Sequence, residues 1–173
     1  MSHPDGPRTG RPPMYAPRGM VSGPHLLASS AGLDVLRRGG SAVDAAIAVN
    51  AVLCVVYPHM SGLGGDGFWL IAGPKTDGVL ALDASGPAAQ AAMTEFYGER
   101  GHHQAIPERG PAAALTIPGA VDGWRAAHER FGRLGWSDLF AAAIAYARDG
   151  MPVSRSLADF LAQDQSILRQ FPD

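Results

Sequence analysis

The sequence predicts an α+β fold that is mostly helical and carries one short antiparallel hairpin. Three observations predict it. Two opening segments repeat apolar residues at helical spacing. Two short runs rich in aromatic and branched residues, FWLIA at 68–72 and VLAL at 79–82, follow with turn material between them. Helical spacing then returns beyond Pro118 and Gly119. Helices followed by a hairpin point to sheet and helices in separate layers.

Taken in order, residues 1–18 are rich in proline and glycine with little to bury, and are expected to form a flexible N-terminal arm. Residues 19–173 are expected to make one domain. Met20 and Val21 read as a short entry strand. Pro24 suits a first helical position, and Leu26, Leu33 and Leu36 recur at helical spacing. Arg37 and Arg38 favour the negative end of that helix, and Gly39-Gly40 ends it. Ser41 opens a second helix as a cap, with Asp44 answering three residues on in a short version of the capping box. Apolar residues surround this helix from Val43 to Val55, which predicts that it is largely buried, and Pro58 marks its end.

The run at 68–72 reads as a buried strand, 74–78 as turn material, and 79–82 as its hairpin partner. A weak helix is expected at 94–97 and an irregular loop at 102–110. Pro118-Gly119 precede a helix reaching Phe131. Ser137 reads as the cap of another that stops at Gly150, and a last helical segment at 154–169 carries Leu157, Phe160, Leu161 and Leu168. No repeat recurs at a fixed period.

Bulk properties exclude several functions. The net charge is -2 with acidic and basic residues mixed along the chain, so no nucleic-acid partner is expected. The single cysteine, Cys54, has no partner for an internal disulfide or a multi-thiolate metal site, and its apolar surroundings read as a small buried hydrophobe. The start lacks the apolar region of a secretory signal. The longest apolar stretch, residues 45–57, is interrupted by Asn50 and too short to span a bilayer. No membrane partner and a cytoplasmic location are the expectations.

The glycine turn at 62–67, GLGGDG, draws the eye first. It follows a helix and opens a strand, the reverse of a dinucleotide or phosphate loop, and no Lys-Ser or Lys-Thr pair follows it. Its glycines read either as permitting positive φ and close backbone packing, or as a backbone wall beside a substrate pocket. His59, Gly64, Gly65 and Asp66 are therefore the pocket-lining candidates. His59 has no carboxylate near it in sequence, so a packed, hydrogen-bonded role competes with a general base. His102 and His103 are adjacent and cannot share a helix face, so no metal is expected there, nor any cofactor elsewhere. His25 is isolated and given no role.

Three stretches resemble the gamma-glutamyltranspeptidase family. Residues 20–59 resemble its opening helices, including GGSAVDAA. SGLGGDGFWLI at 61–71 resembles its Ser-Gly-Leu/Ile-Gly-Gly-Gly strand entry. Residues 116–154 resemble its Pro-Gly-x-Val helix and following segment. The resemblance implies the N-terminal portion of an N-terminal-nucleophile (Ntn) hydrolase, an αββα sandwich made as a proenzyme that cuts itself in two. A threonine at the start of the second piece then attacks the amide and forms an acyl-enzyme, its own free amine serving as base.

None of Thr9, Thr76, Thr94 and Thr116 stands in the context of that threonine, so no catalytic residue is expected in this chain and the chain alone is expected to be inactive. The implied partners are the remainder of the large subunit and the threonine-led small subunit. After the second strand the family's usual pattern is Leu-Asp-x-Arg-Glu-x-Ala-Pro, whose arginine holds the substrate's α-carboxylate. Here the segment reads LDASGPAA, placing Ser85 at the arginine and Gly86 at the glutamate. A hydroxyl cannot supply a guanidinium's charge or its two-pronged geometry. Ser85 is the candidate substrate-binding residue. YPHMSGLGGDGFWLI at 57–71 together with DASGPAA at 83–89 looks more like the branch that includes oxamate amidohydrolase, which implies a small acid amide as substrate. A gamma-glutamyltransferase or glutathione hydrolase that clamps glutamate with another arginine is the alternative, and a non-catalytic scaffold remnant is a third reading.

Overall fold

The computed structural model describes residues 13–74 and 76–170, which form six helices and one hairpin, three of the helices packing on a central fourth. Most of the expected arm, residues 1–12, lies outside these. Pro13 to Arg18 are exposed and join no helix or strand. Met20 and Val21 are not a strand: Val21 instead packs against the helical core, where an apolar side chain gains more than a lone unpaired strand could.

Helix α1 (Leu26–Arg37) is capped by His25, whose Nδ1 accepts the Leu27 N–H at 3.2 Å. The residue given no role in the sequence thus starts the helix, and Pro24 lies before the cap rather than at the first helical position. Gly39, with φ of +89°, closes it. Helix α2 (Ala42–Val56) begins with the expected reciprocal bonds between Ser41 and Asp44. It is buried on nearly every side, with Ile47, Val52 and Val56 fully enclosed. Each such side chain contributes about 1.5–3 kcal/mol relative to exposure. Helix α1 lies along α2 through Ala28, Ala31 and Val35, small residues that allow close approach.

Asp44 does more than close the capping box. Its side chain is fully buried, and Oδ2 accepts N–H groups from Ser41 (2.8 Å), Arg133 (2.9 Å) and Leu134 (3.2 Å). His128 Nε2 lies 2.9 Å from the Leu134 carbonyl and 3.6 Å from Asp44 Oδ1. A carbonyl can only accept, so Nε2 carries the proton and points toward both. One carboxylate thereby ties the start of α2 to the loop that ends α4.

Strands β1 (Gly67–Ala72) and β2 (Val79–Ala84) pair antiparallel from Gly67↔Ala84 to Ala72↔Val79. The hairpin is the expected one, with β2 two residues longer. It packs by one face on α4 (Ala120–Phe131), so sheet and helices do form separate layers. The expectation of a buried strand holds for that face only. Phe68 and Leu70 are 74% and 80% exposed, because alternate side chains point away from α4 and nothing among the described residues covers them.

Beyond the hairpin, α3 (Thr94–Gly98) is one short turn of helix. Ser137 is not a cap. Residues Trp136–Phe140 form a tight 3-10 turn in which the Asp138 N–H reaches the Gly135 carbonyl (3.0 Å), and α5 (Ala141–Asp149) starts only after it. Trp136 edges onto His128 and Phe140, and that aromatic packing sets the tighter geometry. Helix α6 (Arg155–Leu168) is capped by Ser154, which accepts the Leu157 N–H at 3.2 Å, and is tied to the 102–110 loop by Arg109–Asp164 at 2.6 Å. Ser154→Ala is expected to lower stability by about 1 kcal/mol, the usual worth of a cap, read as an earlier thermal midpoint with unchanged spectra. No described helix is long and apolar enough to cross a membrane.

Candidate functional site

Three backbone segments converge where the hairpin ladder ends. The glycine turn leads into β1, residues 85–87 lead out of β2, and residues 115–119 lead into α4. Past the last ladder pair, Gly67↔Ala84, the joining bonds come from Gly65 and Asp66. The Gly65 carbonyl accepts the N–H groups of Gly119 (3.1 Å) and Ala120 (2.9 Å), the first donors of α4. Asp66 Oδ1 accepts the Gly86 N–H at 3.2 Å and lies 3.4 Å from the Thr116 hydroxyl. Residues 87–89 run antiparallel to 115–117, with the Ile117 N–H on the Pro87 carbonyl (2.9 Å) and the Ala89 N–H on Leu115 (3.0 Å).

This arrangement settles what the glycine turn offers. It presents a carbonyl to the start of α4, so the Gly119 and Ala120 N–H groups are spent internally. None of Gly62, Gly64 and Gly65 has a positive φ, and a Cβ at any of them would meet open space. Of the two readings of these glycines, positive φ with close packing is therefore corrected at all three. Crowding occurs instead at Gly86, where a Cβ would fall inside the Ile117 carbonyl, and at Gly119, where it would meet the Ala84 carbonyl.

Ser85 sits in a local turn. Its N–H and hydroxyl both donate to Asp83 Oδ1, at 2.9 and 2.7 Å. The Ser85 hydroxyl, and then its N–H, hold the Asp83 carboxyl below the usual carboxylate range. The hydroxyl proton is thus committed, and Ser85 can offer a ligand only lone pairs and space. An Asp two residues before a Ser is a local turn signal legible in the sequence. The roles of Thr116 and Ile117, some thirty positions away, had no such signal.

Two hollows flank this junction. One of about 570 Å³ lies beside the glycine turn and is lined by Asn50, Ser61, Gly65, Asp66, Trp69 and Trp124. The other, about 320 Å³, is lined by Asp83, Ser85, Gly86, Ile117, Asp122 and Gly123. Asp66 and Gly65 border the first and Ser85 the second, with the Asp66–Gly86 bond between them; Gly64 lines neither. His59 is also in neither. It is held under α6, Nε2 at 2.9 Å from the Ser156 hydroxyl and its ring between Tyr57 and Phe160. Cys54 is half-buried beside Ser61, and burial pushes its thiol pKa up, away from nucleophilic use. No group of three or more His, Cys, Asp or Glu among the described residues is placed to hold a metal.

The Gamma-glutamyltranspeptidase family profile matches residues 28–173, and the chain belongs to that family. Over 159 residues it is 49% identical to the oxamate amidohydrolase proenzyme of Klebsiella pneumoniae subsp. pneumoniae, a match covering 89% of this chain and 29% of the relative. The glutathione hydrolase-like YwrD proenzyme of Bacillus subtilis is 42% identical over 153 residues, covering 88% of this chain and 29% of the relative. The crystal structure of cephalosporin acylase from Bacillus halodurans superposes with a TM-score of 0.85 at 35% identity, over 99% of this chain and 31% of that one. The fold is the Ntn-hydrolase-like one that the resemblance implied. The chain spans less than a third of the length of the curated relatives it matches.

Proposed function

We propose that the complete protein is an amidohydrolase acting on a small acid amide of the oxamate kind, through a threonine nucleophile outside these residues. Its partners are then the remainder of the large subunit and a threonine-led small subunit. The observation that carries the reading is the turn after β2, where Ser85 stands at the position the resemblance assigns to a carboxylate-clamping arginine. With its proton committed to Asp83, Ser85 contributes room and no positive charge. A glutamyl head would lack its two-pronged partner there, whereas a short acid needs none and can be held by donors elsewhere or by water. The 49% identity to an oxamate amidohydrolase proenzyme supports the same reading.

The test is kcat/KM of the complete protein on oxamate and on a γ-glutamyl anilide. Preference for the anilide would overturn the reading in favour of a glutathione hydrolase. Ser85→Arg is expected to lower the oxamate-to-anilide ratio by about 1–3 kcal/mol in transition-state discrimination, since one contact of a multi-contact site changes. An unchanged ratio would reduce Ser85 to a turn residue.

A further inference from the structure

We propose that Asp66 is the positioning residue of the Ser85–Gly86 turn, holding it at the spacing on which substrate choice depends. The inference deepens the reading of Ser85 given above and rests on it for its link to substrate.

Ladder pairing stops at Gly67↔Ala84, so the next residues along, Asp66 and Ser85, lie just outside it. A peptide leaving a strand end is free to swing unless something takes its N–H. The Gly86 N–H is taken by Asp66 Oδ1, and the same oxygen faces the Thr116 hydroxyl on the third segment. Asp66 is thus a side chain hydrogen-bonded both to the turn after β2 and to the strand-like segment before α4. Ser85 is held from its other side by Asp83. The peptide between Ser85 and Gly86 is therefore gripped at both ends, by Asp83 on the serine and Asp66 on the glycine.

The remaining wall is backbone. Gly86 is pressed against the Ile117 carbonyl, so the turn cannot relax inward. Movement away from Ile117 is opposed at residue 86 by the Asp66 bond, and one residue further on by the Ile117 N–H on the Pro87 carbonyl. Asp66 reaches this position because the glycine turn brings the chain under residue 86 with its own backbone fixed by the Gly65 carbonyl on α4. The role asks for an acceptor oxygen at Oδ1. It does not ask for a charge.

That distinction makes the test sharp. In the complete protein, Asp66→Ala is expected to raise KM for the small acid amide about tenfold, with kcat changed less, as for a modest misplacement of a binding element. Asp66→Asn keeps the acceptor oxygen and is expected to restore KM to near the parent value. Independently of any activity, amide exchange at Gly86 should speed up in Asp66→Ala and stay slow in Asp66→Asn. Unchanged exchange at Gly86 in the alanine variant overturns the proposal. So does an asparagine variant as impaired as alanine, which would mean that charge matters, and so does faster exchange with no change in KM on any substrate. If the parent protein fails to turn over oxamate, the proposed function falls. The exchange experiment and KM on the γ-glutamyl anilide then decide the role of Asp66 separately.

Discussion

Gly86→Ala is expected to be among the most damaging single substitutions in the chain, costing about 3 kcal/mol, because the added carbon meets a backbone carbonyl that cannot rotate away. The residue has no positive φ, so the strain is purely one of contact with Ile117. Relief requires residues 85–87 and 115–119 to separate, which breaks the pairing of Pro87 with Ile117 and of Ala89 with Leu115. Gly64→Ala serves as the control. It lies in the same junction with open space around it, and little change is expected. Denaturant midpoints of the two variants in the complete protein check this. Equal midpoints would show that the close approach is softer than the geometry indicates.

Asp44→Ala is expected to lower stability by about 4 kcal/mol, since it leaves the Ser41, Arg133 and Leu134 N–H groups without their acceptor in a fully buried place. The effect should be felt at both ends of the bond network. The start of α2 loses half its capping box, and the loop joining α4 to the 3-10 turn loses its anchor. Amide exchange at Arg133 and Leu134 should rise toward that of exposed loops, ahead of any change in the hairpin. Asp44→Asn retains one acceptor but presents an N–H toward His128, whose Nε2 is itself a donor, so an intermediate loss is expected. A cost below about 1 kcal/mol for alanine would show that water replaces the carboxylate there.

The local chemistry of the chain was legible because it depends on residues close in sequence. Ser41 and Asp44 form their reciprocal cap with only the backbone between them. Gly39 and Gly150 stop helices by their own φ freedom, and the apolar belt of α2 announces its burial. The hairpin follows from two short branched runs across a turn. Family membership was legible too, through GGSAVDAA, SGLGGDGFWLI and the segment after Thr116, all of which lie within the family match over residues 28–173. Ser85 could be singled out by comparison with a pattern, and the Asp83–Ser85 turn is a two-residue signal.

What only the tertiary structure decided involves partners far apart in the chain. His25 is the local exception: its Nδ1 takes the Leu27 N–H only two residues on, but histidine is not among the usual capping residues, so the sequence did not announce it. The 3-10 turn at Trp136–Phe140 overrode the Ser137 cap because Trp136, Phe140 and His128 pack together. His59 proved to be held by Ser156 and Phe160, nearly a hundred positions on. Most consequential is the junction itself. Asp66 meets Gly86 and Thr116, Gly65 meets the start of α4, and Gly86 meets Ile117, each across twenty to fifty-five residues. No periodicity or local propensity encodes such meetings. They exist because α4 packs on one face of the hairpin and brings its leading segment against the strand ends, and the free backbone donors created there must then find acceptors.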